Sequence, residues 1–141
     1  MNLATLLIGL AVSEAFAPQR RLEKITDEVQ RLLEWDIRRV TVRFSGDAAT
    51  FRSENKLGTE AIDAFTRGSD ASVHLGPRVT ADNLNGVLAH ELTHVVIRQK
   101  FHASVPPWLE EGLANHISQK VAQRTGGPGR GAVDYLWLSR Q

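Results

Sequence analysis

The sequence predicts an α+β fold, a small mixed sheet packed beside two long helices, on three observations. Residues 39–44 (RVTVRF) alternate with a period of two, the mark of a half-buried strand. Leu84, Val87, Leu88, Leu92, Val95 and Val96 recur at three- and four-residue steps with no proline among them, as in a helix packed by its apolar side. The strand patterns gather in the middle of the chain and the longest helical patterns follow them, so the elements are segregated rather than alternating.

A chain of 141 residues with net charge +1 makes one domain, here 18–141 after an apolar start, and gives no electrostatic footprint for nucleic acid. It has no cysteine, which excludes disulfides and thiolate metal sites. Residues 3–17 are apolar apart from Glu14 and too short for a confident membrane span. They read either as a secretory leader, ending at Ala15-Phe16-Ala17, or as an N-terminal helix with Leu3, Leu6, Leu7, Leu10 and Ala11 on one side. A leader implies a secreted, periplasmic or membrane-associated protein, with membrane contact only through this segment; a helix implies a cytoplasmic one.

From Arg21 to Trp35 the apolar positions Leu22, Ile25, Val29, Leu32 and Leu33 predict an amphipathic helix. Val40, Val42 and Phe44 share one face of the strand at 39–44. Ser45-Gly46-Asp47 turns the chain into a short helix over 48–55. Residues 61–66 and 71–75 are two further strands, divided by Arg67-Gly68-Ser69-Asp70. Thr80-Ala81-Asp82 supplies a cap and an early acid for a helix reaching Lys100. Pro107 marks the start of another, which runs to about Arg124 and stops at Thr125-Gly126-Gly127-Pro128. Residues 132–138 form a last short apolar segment.

Within the long helical run stands His90-Glu91-Leu92-Thr93-His94. Residues four apart share a helix face, so His90 and His94 present two imidazoles at a separation suited to one zinc ion. Glu91 lies near that face, able to reach a water on the metal without ligating it. Two histidines and an acid on an apolar helix side are costly to bury unless a cation neutralises them. A catalytic site needs a third protein ligand. Lys100 stands where a metzincin has its third histidine, which excludes that class. His102, Glu110 and Glu111 remain. The two glutamates differ by about 100° around a helix, so only one faces the metal; the other is then an ordinary exposed acid in a first turn.

His90-Glu91-x-x-His94 followed by Trp108-Leu109-Glu110-Glu111-Gly112-Leu113-Ala114 resembles the gluzincin pattern of thermolysin-like enzymes. It is most similar to the compact peptidase MA-like proteins, over roughly residues 37–118. The resemblance implies a zincin-like fold with zinc as cofactor, Glu111 as third ligand and hydrolysis of peptide or unfolded-protein substrates by a zinc-activated water, with Glu91 as general base. It also implies that the strand before the zinc helix, 71–75 with His74, is a sheet edge to which substrate adds. Asn115 stands where thermolysin-like chains carry an acid that accepts the N–H of a ligand imidazole. Tyr135 is the candidate oxyanion donor, with His102 and His116 as alternatives. The competing expectation is a non-catalytic zinc-binding interaction or scaffold domain, its fourth position filled by His116 or Glu110.

Overall fold

Val40 and Val42, both fully buried, put the apolar side of β2 (Arg39–Phe44) against the core, as the alternation predicts. In this computed structural model, which describes residues 5–8, 19–101 and 105–129, β2 is one of four strands in a single mixed sheet. The others are β1 (Thr5–Ile8), β3 (Ala64–Arg67) and β4 (Ser72–Leu75), in the order β1-β2-β4-β3. β1 and β4 flank β2 in parallel, and β3 runs antiparallel to β4.

Three strand expectations change. Thr5–Ile8 is a strand, paired in register from Thr5↔Arg39 to Ile8↔Val42, whereas residues 3–17 are expected to be either a leader or a helix. A short apolar run fits either period, and here the ladder to β2 decides it. The rest of 1–17 lies outside the described residues. β3 begins at Ala64 rather than Ala61: Ala61 O accepts from the Arg78 side chain, and only from Asp63 O, which accepts from the N–H of Gly76, do the bonds follow the β3–β4 register. Finally, β4 is an inner strand, with β2 on one side and β3 on the other and all four residues buried. Among the described residues, the sheet edge on the side of His90 and His94 is therefore β3. His74 is not at an edge; it is 2% exposed, stacked on Phe65 (ring centroids 4.4 Å apart) and 2.7 Å from Ser72 Oγ.

Four helices among the described residues complete the α+β architecture: α1 (Gln19–Leu33), α2 (Ala48–Glu54), α3 (Leu84–Lys100) and α4 (Pro107–Thr125). α2 starts where the turn at Asp47 predicts, with the Asp47 carboxylate accepting from Thr50 N at 3.1 Å. α3 starts later than the Thr80 cap predicts. Residues 80–83 form a turn in which Asn83 Oδ1 accepts from the N–H of Thr80, and Leu84 N donates to Thr80 O. Every residue from Leu84 to Ile97 is buried, so α3 is the central rod of the molecule. Leu22, Ile25 and Val29 of α1, Val73 and Leu75 of β4, and Ile117 and Val121 of α4 close around it. No helix among the described residues is long and apolar enough to cross a membrane.

α4 packs antiparallel on α3. Glu110 lies beside His94, Ser118 Oγ donates to Gly86 O at 2.6 Å, and Thr125 Oγ1 accepts from Asn85 at 3.1 Å. Gly86 is what lets them come so near: a Cβ there would run into the carbonyl of Pro128 and stand 3.2 Å from Ser118 Oγ. This close register carries the acids of α4 onto the histidines of α3. The apolar segment at 132–138 lies outside the described residues.

Candidate metal centre

The imidazoles of His90 and His94 converge, Nε2 to Nε2, at 3.2 Å. Glu111, in the second turn of α4, brings one carboxylate oxygen to 2.8 Å from His94 Nε2 and the other to 3.1 Å from His90 Nε2. One ligand atom from each of the three residues lies within 4.8 Å of the others. In a tetrahedral site with bonds of about 2.0–2.1 Å, neighbouring donor atoms stand about 3.3 Å apart. The spacing therefore fits one small divalent cation. Two imidazole lone pairs at 3.2 Å also repel each other unless a proton or a metal lies between them. The side chains of His90 and His94 are 2% and 7% exposed, that of Glu111 28%, so solvent reaches the centre from the α4 side.

Glu110 departs from its expected role as an ordinary exposed acid. Its Oε2 lies 2.5 Å from His94 Nδ1 and its side chain is only 15% exposed, with Arg98 Nη2 at 3.8 Å. The two neighbouring glutamates, though turned apart on the helix, take the two nitrogens of one ring. Nδ1–H of His94 donates to Glu110, so Nε2 is the nitrogen that can ligate a metal once it has lost its proton. A hint was present in the sequence: a ligand imidazole needs an acceptor for its other nitrogen, and the adjacent pair Glu110-Glu111 offers one.

Asn115 is 2% exposed, and neither its amide nitrogen nor its amide oxygen has a hydrogen-bond partner among the described residues. His90 Nδ1 is in the same condition. The hydrogen bond expected from a ligand imidazole to Asn115 is not formed. Glu91 is 4% exposed and outside the three-residue cluster, and its carboxylate accepts from Thr66 Oγ1 of β3 at 2.7 Å. His116 is exposed and is not part of the cluster. His102 and Tyr135 lie outside the described residues, and so does the oxyanion role expected of Tyr135.

Electrostatics bind the centre together. Burial disfavours charge on His94, but hydrogen bonds to Glu110 and Glu111 and the negative charges of Glu91 and Glu111 outweigh it and raise its pKa to about 9. Burial likewise opposes charge on Glu111, yet the two imidazoles hold its carboxyl well below the usual range. In the metal-free protein the raised His94 value contributes stability that is complete below the ordinary 6.5 and lost as the pH rises through about 9. A metal must displace that proton. Calorimetric titration at pH 7 in buffers of different ionisation enthalpy is expected to show about one proton released per ion. Apparent affinity is expected to rise about tenfold per pH unit up to about 9. Binding at pH 7 with no proton release contradicts this.

A family model described as the eCIS core domain matches residues 22–101, more than half of the chain. The match begins in α1 and ends just past α3, so it takes in His90, Glu91 and His94, while Glu110 and Glu111 lie beyond it. No curated protein and no solved structure matches the chain.

Proposed function

The chain belongs to the eCIS core domain family, and we propose that it is a zinc metallopeptidase of the gluzincin kind, acting on unfolded or flexible polypeptide. The observation that carries this reading is the meeting of three donor atoms, His90 Nε2, His94 Nε2 and a Glu111 oxygen, at tetrahedral spacing beside a buried glutamate. Two imidazoles and one carboxylate, with an approach from solvent, are a ligand set used for catalytic zinc. Zinc held there supplies a Lewis acid that polarises the scissile carbonyl and lowers the pKa of water.

The protein's own groups do the rest. Glu91 accepts the proton of the attacking water and returns it to the leaving amine. Glu110 fixes the His94 ring so that Nε2 faces the site. The hydrogen bond from Gly76 N to Asp63 O sets the alternation along β3. It turns the main-chain groups of Ala64 and Thr66 away from β4, toward the outer side of the sheet. An extended peptide can add there through backbone hydrogen bonds, with little demand on its sequence.

A non-catalytic zinc module draws support from one observation: the Glu91 carboxylate is buried and already bonded to Thr66. Incubating the zinc-loaded protein with fluorescently labelled, denatured casein separates the two readings. Cleavage that stops on adding a chelator and returns with zinc is expected. Stoichiometric zinc without any cleavage of casein assigns the module instead.

A further inference from the structure

We propose that Thr66 is the positioning residue for Glu91, joining the strand that receives the substrate to the group that takes the proton. The inference rests on the peptidase reading above. Thr66 stands opposite Val73 in the β3–β4 ladder, which turns its side chain to the α3 side of the sheet. Its Oγ1 lies 2.7 Å from Glu91 Oε2 and 3.1 Å from the main-chain oxygen of the same residue. A hydroxyl has one proton to give, and the carboxylate is both nearer and the stronger acceptor. Seated between the carboxylate and the backbone of Glu91, the hydroxyl holds that side chain in one conformation. The main chain of Thr66 meanwhile faces the outer edge of β3, where its carbonyl accepts from Arg98 Nη1 at 3.2 Å. One residue thus carries both a substrate-pairing amide and the bond that aims the base. A peptide seated along β3 fixes Thr66, and with it the carboxylate.

Positioning groups act on the rate more than on binding, and a misplacement of about 1 Å can cost about a hundredfold. The test compares zinc-loaded wild type, Thr66→Val and Thr66→Ser on a quenched-fluorescent peptide, with zinc content, melting temperature and crystal structures of all three. In Thr66→Val, kcat falls about ten- to a hundredfold while KM stays within about twofold, zinc is retained, and the Glu91 carboxylate leaves its wild-type position. Thr66→Ser, which keeps the hydroxyl, stays within about threefold of wild type. A wild-type kcat in Thr66→Val, or an equal loss in Thr66→Ser, overturns the inference. If wild type cleaves no peptide, the peptidase reading fails by itself. The crystal structures then decide about Thr66: an unmoved Glu91 in Thr66→Val overturns the positioning role.

Discussion

Glu91→Gln is expected to abolish hydrolysis while leaving the metal bound. The amide has the size and shape of the carboxylate, and its oxygen can still accept from Thr66, so α3 and β3 keep their packing. It cannot accept the proton of an attacking water. General-base catalysis contributes about 10²–10⁴-fold, and kcat is expected to fall by that factor. None of the three converging donor atoms belongs to Glu91, so zinc content should equal that of wild type. Cleavage of denatured casein, followed beside metal content by mass spectrometry, measures both. Glu91→Gln cutting at near the wild-type rate removes Glu91 from the chemistry, and loss of zinc would mean that Glu91 holds the ion.

Much of this arrangement is local and so is legible in the sequence. The two imidazoles share a face because they are four residues apart on one helix, whatever surrounds them. β2 follows from alternation, α2 from the Asp47 cap and α4 from Pro107 and Gly126. What the sequence hides depends on contacts between distant segments. Ser72–Leu75 is buried on both faces, and its four residues carry no sign of whether one strand or two will flank it. The edge therefore lies one strand further out than the resemblance implies. Thr5–Ile8 reads as part of a leader or a helix until the ladder with β2 is seen. Glu110 looks like any first-turn acid until the antiparallel docking of α4, made close by Gly86, brings it to the far nitrogen of His94. Thr66 carries no pattern of its own. Its hydroxyl matters because β3 lies against α3.

Glu111→Gln is expected to empty the centre. The substitution keeps the shape of the side chain but removes its negative charge, the feature that makes a carboxylate oxygen a strong ligand for a divalent ion. It also strips His90 and His94 of an ion-pair partner at 3.1 and 2.8 Å. Loss of an outer acceptor alone costs about 10–100-fold in metal affinity, so loss of a direct ligand is expected to cost at least about a hundredfold. Casein cleavage should disappear with the metal. Competition with a chromogenic zinc chelator measures the affinity, and an unchanged dissociation constant would place the ion elsewhere.

The identity of the ligands is best read from the metal itself. Zinc-edge X-ray absorption of the wild-type protein loaded with one equivalent is predicted to show two imidazole nitrogens and carboxylate oxygen at about 2.0–2.2 Å, with one imidazole or more retained and the carboxylate shell altered in Glu111→Gln. A wild-type spectrum with fewer than two imidazoles, or one that Glu111→Gln leaves unchanged, contradicts a centre built from His90, His94 and Glu111.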